Sequence, residues 1–458
     1  MIDRFLILLL VISLTACKKE PVIEAYDGYG AEPAAGSCTV FDETSYAFSY
    51  QVNGLSSSES LQFFVGNSFF NQNWVEAPSS TIARDGLGPL FNAKSCAGCH
   101  FRDGRGLPFT NQGLLFRLGT PSSSVISGSI ADLIYGGQLQ DHGISTVQEE
   151  AAMNIQYTEV VGYYADGTSY SLRVPYYSIS GGNYGSSSAG LLISPRTAQQ
   201  MIGLGLLEII SEQHILANSD PTDINHDGIS GRPNYVKDVQ TLGISLGRFG
   251  WKANVPSIPQ QVAGAFNGDI GITSSLFPFE NYTINQPSCD GLPNGGSPEI
   301  ADDDLASVVL YSRTLAVPAQ RNPLEKDVYA GKQLFKQLQC IGCHTPRFTT
   351  GSSGTIQALK NVVIHPYSDL LLHDMGEGLS DGLPDYRATG REWRTQPLWG
   401  LGLIQTVNGH SFLLHDGRAR NIEEAILWHG GEAQKSKELF LQLAKKEREQ
   451  LLKFLESL

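Results

Sequence analysis

Two Cys-x-x-Cys-His motifs, helical hydrophobic patterns beside them, and a strand-like stretch after the first motif predict the fold class of this sequence. We expect a mainly α-helical chain with two haem-binding domains in tandem, the first interrupted by a β-hairpin-rich insertion. The length of 458 residues is sufficient for two domains that each bury their own core.

Composition argues against two classes of protein. The formal net charge is −14, from 46 acidic and 32 basic residues, whereas a nucleic-acid-binding protein needs a basic face. No apolar run reaches the ~20 residues that a membrane-spanning helix requires. The 49 glycines and 22 prolines indicate long connections between elements rather than a low-complexity chain.

The N-terminal segment predicts export and attachment to a membrane by a lipid. Residues 1–17 combine a charged tip, a short apolar core and small residues, which is the pattern of a signal peptide. The segment Leu14–Cys17 is similar to a bacterial lipobox, in which the cysteine becomes the lipidated first residue. Lys18 favours the periplasmic side of the outer membrane, and residues 18–60 are predicted as a tether. A plain signal-peptidase site is the alternative.

The two Cys-x-x-Cys-His motifs predict covalently bound c-type haem. Each pair of thiols adds across the vinyl groups of a haem, and the adjacent histidine then reaches the iron. A zinc site would need four clustered ligands, and a redox dithiol needs no following histidine. The predicted attachment residues and proximal ligands are Cys96, Cys99 and His100 in the first motif and Cys340, Cys343 and His344 in the second.

The domain boundary follows from the helical patterns. A predicted helix ends before Val317-Pro318, because proline breaks a helix. We therefore predict a cytochrome c-like haem domain over residues 61–316, with the insertion at about 110–193, where polar and apolar residues alternate as in strands. A second cytochrome c-like haem domain is predicted over residues 317–458.

Similar segments precede the two motifs. Leu87–Asn92 and Ala330–Phe335 each contain a glycine and a phenylalanine. We expect both segments to be short helices that deliver the cysteine pair and pack close to the porphyrin.

Two cysteines remain, Cys38 and Cys289. Leftover thiols in an oxidising compartment usually pair. A disulfide and two buried free thiols both stay open interpretations.

A weak internal repeat distinguishes the two haem sites. With a two-residue insertion in the first copy, residues 258–266 align with residues 422–430. The second copy offers His429, a strong iron ligand, where the first has Ala265-Phe266. A haem with two histidines suits electron transfer, whereas an iron with an open position binds peroxide or dioxygen. Met375 is the rival for the second axial ligand.

A carboxylate after the first repeat segment predicts acid–base chemistry. Splitting a peroxide O–O bond needs a group that takes a proton from one oxygen and delivers it to the other. Asp269 is the predicted group, with a helix cap as its alternative role. His142, Glu150 and Glu208 are the other candidates.

Aromatic and basic residues complete the predicted sites. Trp251 lies just before the first repeat segment, where its ring is expected either to pass electrons between the haems or to pack in the core. Trp393 and Trp399 are predicted to wall the second haem. Arg394 and Arg418 are natural partners for haem propionates, because a guanidinium binds carboxylates in a bidentate way.

Residues 223–228 match the start of a calcium-binding loop. Asp223, Asn225 and Asp227 place oxygen ligands at alternate positions before a glycine. The twelfth position holds Asn234 instead of the glutamate of an EF-hand. Calcium and a hydrogen-bonded Asx turn both stay open interpretations.

A set of further motifs carries a resemblance to a known family. The chain resembles the di-haem oxidoreductase family, sometimes labelled thiol oxidoreductase, which is related to bacterial di-haem cytochrome c peroxidases and MauG-type enzymes. The resemblance covers roughly residues 60–458. Besides the haem motifs, it is carried by residues 86–91, 101–106, 203–208, 227–234, 247–252, 393–400, 415–418 and 428–432.

The resemblance implies additional roles. In the wider superfamily the position of His429 holds the distal ligand of the C-terminal haem, and calcium is held between the haems. The acid of the peroxidases is usually a glutamate, where this chain has Asp269 with a shortened spacing. A proline is common near the open iron, and Phe266 is expected in its place. Phe266, Asp269 and Trp251 therefore form the predicted catalytic set.

These observations together predict a periplasmic di-haem c-type oxidoreductase, anchored by lipid to the outer membrane at Cys17. It is expected to reduce hydrogen peroxide at the haem held by His100. Electrons from a small cytochrome or cupredoxin would be relayed by the haem held by His344 and His429. The alternatives are a MauG-like or oxygenase-like oxidation of a protein or organic substrate, and an electron carrier without enzymatic activity.

Overall fold

The computed structural model describes residues 34–109, 112–122 and 127–458. The predicted signal peptide, Cys17 and residues 18–33 of the predicted tether lie outside the described residues. The helices are α1 Ser57–Asn71, α2 Cys96–Cys99, α3 Leu204–Glu208, α4 Glu212–Leu216, α5 Ile258–Ala265, α6 Asp302–Thr314, α7 Lys326–Gln337, α8 Ile404–Asn408, α9 Ile422–Trp428, α10 Gln434–Gln442 and α11 Lys445–Ser457. The strands are β1 Thr39–Val40, β2 Leu90–Phe91, β3 Leu114–Pro121, β4 Ser129–Ile130, β5 His142–Gly143, β6 Ala152–Tyr163, β7 Ser169–Ser180, β8 Leu192–Thr197, β9 Tyr235–Lys237, β10 Ile244–Leu246, β11 Val317–Pro318, β12 Phe348–Thr349, β13 Val363–Ile364, β14 Leu372–Asp374 and β15 Glu392–Arg394.

Helices and strands both contribute substantially, so the fold is mixed α/β and the prediction of a mainly α chain is only partly right. The strands form several small sheets of two or three strands rather than one large sheet. Most of these ladders lie in the long connections between helices, where neighbouring extended segments satisfy each other's main-chain hydrogen bonds. Hydrophobic periodicity alone does not reveal such short strands.

The longest strands form a hairpin in the region of the predicted insertion. β6 and β7 pair antiparallel along their whole length, from Ala152 opposite Ser180 to Tyr163 opposite Ser169. The tip of this hairpin reaches the C-terminal helices. There the Tyr164 hydroxyl donates to Glu423 Oε1 at 2.6 Å, and the Arg448 guanidinium pairs with Asp166 at 2.9 Å. The hairpin therefore ties the insertion to α9 and α11.

Two pairs of helices repeat one packing arrangement. α1 packs on α6, and α7 packs on α11. A Cβ atom on Gly66 would collide with the main-chain oxygen of Ser307, and a Cβ atom on Gly331 would collide with that of Gln450. Both crossings therefore need glycine, because only glycine lets the two backbones approach this closely.

The same helix pairs share an aromatic contact four residues after each glycine. The rings of Phe70 and Tyr311 lie 5.1 Å apart between centroids, and those of Phe335 and Phe454 lie 5.4 Å apart. The histidine ring of the first motif lies 6.2 Å from Phe70, and that of the second motif lies 6.0 Å from Phe335. Each helix pair therefore stands beside one Cys-x-x-Cys-His motif.

The helix that corresponds to α7 is thus α1, and the prediction of a short helix over residues 87–92 is wrong. Leu90 and Phe91 form β2, which pairs with β5. Gly88 packs closely against the backbone of Gly271. The proline at position 89 explains the difference, since the residue before a proline avoids helical conformation.

A second repeated arrangement precedes α5 and α9. A β-bridge joins Phe249 to Val255, and another joins Leu413 to Ala419, so each helix follows a closed loop of the same length. A serine caps α5 and an asparagine caps α9, and each helix begins three residues after its bridge. The alignment therefore needs no two-residue insertion, which corrects that prediction. The equivalent positions are Trp251 with His415 and Ala265 with His429.

Residues 34–60 belong to the folded body, so the predicted tether over residues 18–60 is wrong for this part. Ala35, Cys38 and Phe48 are fully buried, because removing their apolar surface from water lowers the free energy of the folded state. β1 pairs in parallel with β11, and α1 already begins at Ser57.

The largest hydrophobic core combines residues from both sides of the predicted domain boundary. Phe48 and Leu206 precede residue 317, whereas Leu359 and Trp399 follow it. The boundary at residues 316/317 stays a prediction. The shared core has a structural consequence, since it holds the two motifs beside one another.

Cys38 and Cys289 are buried free thiols that lie in different hydrophobic clusters. The disulfide interpretation is therefore wrong, because the fold keeps the two sulfur atoms apart. No helix within the described part of the chain is long and apolar enough to cross a membrane.

Candidate functional site

One cavity contains both Cys-x-x-Cys-His motifs. It lies between the two repeated arrangements and is walled by residues from β8, α5, β15 and α9. Its lining includes most of the predicted site residues: Cys96, Cys99, His100, Trp251, Asp269, Cys340, Cys343, His344, Arg394 and His429.

The first motif forms the short helix α2, and His100 follows directly after it. His100 Nδ1 lies 2.6 Å from the main-chain oxygen of Gln199. Because that oxygen only accepts, Nδ1 carries the proton and Nε2 is left as the ligand atom. Burial lowers the pKa of the imidazole, so His100 is neutral, the form that binds a metal.

The second motif presents His344 in the same way. His344 Nδ1 lies 2.8 Å from the main-chain oxygen of Tyr367, which again leaves Nε2 for a ligand. Burial lowers the pKa of this imidazole to about 4. The two motif histidines are therefore oriented in the same way, each by a hydrogen bond from Nδ1 to a main-chain oxygen, although these oxygens belong to different parts of the chain.

His429 follows directly after α9 and shows the same arrangement. Its Nδ1 lies 2.6 Å from the main-chain oxygen of Ala425, and burial lowers its pKa. After burial, which is the larger cause, charge repulsion from His429 also lowers the pKa of His344, so the two imidazoles lie near each other. Met375 lines the same cavity and remains the rival ligand.

The equivalent position in the first copy holds Ala265, which lines the cavity and offers no ligand atom. Phe266 is fully buried in the core, with its ring 5.8 Å from that of Trp74, and it does not line the cavity. The prediction that Phe266 lies near the open iron is therefore wrong. Consecutive side chains on a helix point about 100° apart. Ala265 therefore faces the cavity, whereas the next residue, Phe266, faces the core.

Asp269 lies in a π-helical turn, Phe266–Ile270, directly after α5. Gln138 Nε2 donates to Asp269 Oδ1 at 2.8 Å. Burial raises the pKa of this carboxyl group, against the opposing effects of Arg117, Gln138 and His100. Asp269 is therefore placed near His100, much as His429 is placed near His344.

The other carboxylate and histidine candidates lie outside the cavity lining. Burial raises the pKa of Glu150 to about 8, and its carboxylate accepts from the main-chain N–H of Gln140 and from Gln286 Nε2. Glu208 pairs with Arg313 at 2.6 Å and accepts from the first main-chain N–H of α5 at 2.8 Å, so it supports the start of α5. His142 pairs with Asp141 at 3.1 Å.

Three aromatic rings in series line the cavity. Trp251 Nε1 donates to the main-chain oxygen of Thr197 at 2.8 Å, and its ring lies 6.4 Å from that of His415. His415 in turn stacks on Trp393 at 3.8 Å between centroids, with an angle of 12° between the planes. The three rings therefore form a continuous series of contacts within the cavity lining.

Sequence analysis missed His415 as a site residue. It is buried, and its Nε2 has no hydrogen-bond partner within the described residues. Burial lowers its pKa to about 3, so the imidazole is neutral. A signal was available in the sequence, since His415 holds the position in its loop that Trp251 holds in the other copy.

Of the two predicted arginines, Arg394 lines the cavity and Arg418 does not. Arg418 Nε donates to Asp416 Oδ2 at 2.8 Å, and its Nη1 donates to the main-chain oxygen of Gly378. The prediction that Arg418 binds a propionate is therefore wrong, because Asp416 already neutralises its charge. Arg105, which sequence analysis missed, lines the cavity instead.

The predicted calcium loop folds as a set of Asx turns. Side-chain oxygens of Asp223, Asn225 and Asp227 accept from main-chain N–H groups of the loop at 2.8 to 3.2 Å. Asn234 is buried and donates to the main-chain oxygen of Lys252 instead. Across residues 34–109, 112–122 and 127–458, no group of three or more His, Cys, Asp or Glu is arranged to hold a metal ion. Calcium in this loop therefore stays a prediction, and the structure favours the Asx-turn interpretation.

The residues of the cavity fit two haems. Covalent haem needs paired thiols next to an axial ligand, apolar walls, and cations for the propionates. The cavity offers thiol pairs beside His100 and His344, walls that include Trp393 and Trp399, and the guanidinium group of Arg394.

A comparison with protein families agrees with this chemistry. The family model described as "di-haem oxidoreductase, putative peroxidase" matches residues 29–113 and 131–458. No curated protein and no solved structure matches the chain. The match covers both motifs and all the cavity residues named above.

Proposed function

We propose, from the premise that the chain belongs to the di-haem oxidoreductase family, that it is a periplasmic c-type enzyme that reduces hydrogen peroxide. His100 would hold the haem at which peroxide reacts, and His344 with His429 would hold the haem that relays electrons. When bound, each haem supplies an iron that accepts and donates single electrons. The electrons would come from a small donor protein, a cytochrome or a cupredoxin.

The observation that carries the proposal is the difference at one repeated position. α5 and α9 start from loops of equal length, yet His429 follows α9 directly where the equivalent position in α5 is Ala265. His429 has a free Nε2 near His344, whereas Ala265 has no donor atom to offer near His100. One site is therefore suited to electron transfer and the other to binding a small oxidant.

Asp269 supplies the proton chemistry at the open site. Reduction of hydrogen peroxide to two waters consumes two protons and two electrons, so a group near the bound oxidant has to hold and release protons. Burial raises the pKa of Asp269, which keeps its proton available at higher pH than usual. The hydrogen bond from Gln138 fixes the direction of the carboxyl group.

We assign electron transfer between the two sites to the series Trp251, His415 and Trp393. The three rings contact one another in the lining of the cavity that holds both motifs, and contacting rings shorten the distance that an electron must cross. The indole N–H of Trp251 donates to the main-chain oxygen of Thr197, which fixes the orientation of this ring.

The location at the outer membrane belongs to the same proposal. It is supported by the similarity of Leu14–Cys17 to a lipobox and by the requirement that c-type haem is attached outside the cytoplasm. Labelling of the mature protein with a radioactive fatty acid, with Cys17→Ala as control, tests the lipid anchor.

An electron carrier without enzymatic activity is the second candidate. Met375 and His415 both line the cavity with ligand-type atoms, and His415 Nε2 makes no hydrogen bond within the described residues, although Asp416 Oδ2 lies 3.6 Å away. If one of them ligates the first iron, both irons are six-coordinate and no position is open to peroxide.

Electron paramagnetic resonance separates the two candidates. The resting parent should show one high-spin and one low-spin ferric haem, and His429→Ala should convert the low-spin signal to high-spin. His214→Ala is the matched control, because His214 is exposed on α4. Two low-spin ferric signals in the fully oxidised parent, with no high-spin signal, would favour the carrier. Turnover of peroxide with a reduced cytochrome then separates peroxide reduction from oxidation of a protein or organic substrate.

A further inference from the structure

Tyr311 on α6 is a buried tyrosine beside the first motif. It is 1% exposed, and its ring lies 5.1 Å from that of Phe70 between centroids. The ring of Phe70 in turn lies 6.2 Å from that of His100, and Phe70 lines the cavity. A continuous series of ring contacts therefore leads from the first motif histidine through the cavity wall to Tyr311.

The repeated helix packing shows that this place does not need a tyrosine. A Cβ atom on Gly66 would lie 2.7 Å from the Cβ atom of Tyr311. A Cβ atom on Gly331 would lie at the same distance, 2.7 Å, from the Cβ atom of Phe454. Tyr311 and Phe454 therefore hold equivalent positions in the two helix pairs. Phe454 is fully buried against Phe335, so a plain phenyl ring is sufficient to pack such a crossing.

The hydroxyl group of Tyr311 binds a buried carboxylate. It donates to Asp103 Oδ1 at 2.5 Å, and the Ser49 hydroxyl donates to Asp103 Oδ2 at 2.6 Å. Asp103 itself is 3% exposed. In the second motif the equivalent residue, three positions after the histidine, is Arg347. The positions equivalent to Tyr311 and Asp103 therefore hold neither a tyrosine nor a carboxylate at the second site.

Packing does not account for this tyrosine–carboxylate pair. Burying a hydroxyl group and a carboxylate costs free energy that a phenylalanine would avoid. Unlike phenylalanine, a tyrosine gives up an electron readily when its phenolic proton can leave at the same time. A carboxylate at hydrogen-bond distance is a group that takes this proton. The pair also lies beside the site at which peroxide is proposed to react, so an oxidant is generated next to it.

We propose that Tyr311 and Asp103 form a redox-active pair that supplies an electron to the first site when peroxide arrives before the donor protein has delivered both electrons. This inference rests on the proposed function, since peroxide is the oxidant. The phenolic O–H bond of Tyr311 breaks, its electron passes to the first site by way of Phe70, and its proton passes to Asp103 Oδ1.

The electrons and protons of this step balance. Hydrogen peroxide takes one electron from Tyr311, one electron from the donor protein through the second site, and two protons from solvent to give two waters. A later electron from the donor protein, together with the proton held by Asp103, restores Tyr311. The pair therefore stores one oxidising equivalent away from the porphyrin until the donor protein returns.

The test uses the full-length protein with both haems attached, reduced by one electron per molecule. It is mixed with one equivalent of hydrogen peroxide, rapidly frozen and measured by electron paramagnetic resonance. The parent should show an organic radical whose splitting changes when the protein is made with ring-deuterated tyrosine. Tyr311→Phe should abolish this signal. It should keep its fold and its covalent haem, since Phe454 already fills the equivalent position.

Tyr164→Phe is the matched control. Tyr164 is also buried and also donates to a carboxylate, Glu423 Oε1, at 2.6 Å. However, the Arg448 guanidinium lies 3.9 Å from the centroid of its ring. A positive charge over the ring is attracted to its electrons and opposes the removal of one of them. The radical signal of Tyr164→Phe should therefore equal that of the parent.

Asp103→Asn tests the proton acceptor. Asparagine keeps an Oδ1 that accepts from the Tyr311 hydroxyl, but it does not take up the proton. The radical signal should therefore be lost while the covalent haem is retained. With an excess of reduced cytochrome, peroxide turnover by Tyr311→Phe should equal that of the parent, because the second site then supplies both electrons.

The outcomes separate this proposal from the proposed function. A tyrosine radical that persists in Tyr311→Phe would overturn the proposal, as would a parent that consumes peroxide without forming a tyrosine radical. A signal of parental size in Asp103→Asn would overturn the role of Asp103. A parent that carries both haems but consumes no peroxide with reduced cytochrome would instead contradict the proposed function, and this proposal with it.

Discussion

Replacement of Asp269 by asparagine should lower catalysis and raise stability in the same molecule. Asparagine keeps an Oδ1 that accepts from Gln138 Nε2, now at 2.8 Å. The main-chain oxygen of residue 269 still accepts from the N–H groups of Asn92 and Ala93 at 2.8 and 3.0 Å. The turn should therefore keep its shape, and the change removes only the ability to hold and release a proton.

The expected loss of turnover follows from the role of the proton. General acid–base catalysis contributes about 10²- to 10⁴-fold to a rate, so peroxide turnover by Asp269→Asn should fall by about this factor. The KM for the donor protein should stay the same, because Asp269 lies inside the cavity.

The expected gain in stability follows from the direction of the pKa shift. Burial raises the folded-state pKa of Asp269, so ionisation at neutral pH costs the folded state more than the unfolded state. Each unit of such a shift is worth about 1.4 kcal/mol. The asparagine variant should therefore have the larger free energy of unfolding at pH 7. This gain should disappear below the unfolded pKa, near pH 4, where the carboxyl group is protonated in both states.

Steady-state turnover and urea unfolding at the two pH values check both parts. Asp132→Asn is the control with the opposite sign. Burial of Asp132 is outweighed by hydrogen bonds from Ser188, Tyr135 and Ile134, which lower its pKa, so asparagine there should reduce stability at pH 7 and leave turnover unchanged. Turnover of Asp269→Asn equal to that of the parent, or a loss of stability at pH 7 that persists at pH 4, would refute the reasoning.

Three other substitutions, one of them with a matched control, test the repeat and the hairpin. Ala265→His should supply the first site with a second ligand, convert its high-spin resonance signal to low-spin, and abolish peroxide turnover; an unchanged spectrum would contradict the equivalence of the two helices. Gly331→Ala should lower the free energy of unfolding by about 1–3 kcal/mol because its methyl group collides with the facing backbone. Gly137→Ala, whose methyl group meets its first neighbour only at 3.8 Å, should change that free energy by less than about 0.5 kcal/mol. Tyr164→Phe should cost about 1 kcal/mol in urea unfolding, since it removes the hydrogen bond to Glu423.

The two equivalent helices α5 and α9 are held in place by different parts of the chain. α5 starts from the carboxylate of Glu208, which Arg313 holds in place. α9 instead lies against the hairpin through Tyr164 and Glu423. The open site and the relay site are therefore supported by separate parts of the chain, so that damage to one support should spare the other.

The sequence alone determined the chemistry that depends on neighbours along the chain. In each motif the two cysteines and the histidine lie within five consecutive residues. Their spacing is therefore fixed by the covalent chain, and no tertiary contact can change it. Periodicity located the hairpin of the insertion, because alternation over a long strand pair is a local property. The position of His429 relative to Ala265 also followed from an alignment of two local segments.

Only the tertiary structure decided which side chains meet in the cavity. The packing of α1 on α6 joins Gly66 to Ser307, and Arg105 reaches the main-chain oxygen of Leu414. No local pattern encodes contacts between residues so far apart. The sequence analysis placed Phe266 and Arg418 in the cavity for the same reason. Phe266 instead points into the core, and Arg418 instead pairs with Asp416. Packing of the whole chain sets such directions, because each side chain takes the place where its apolar surface is buried and its charge is compensated.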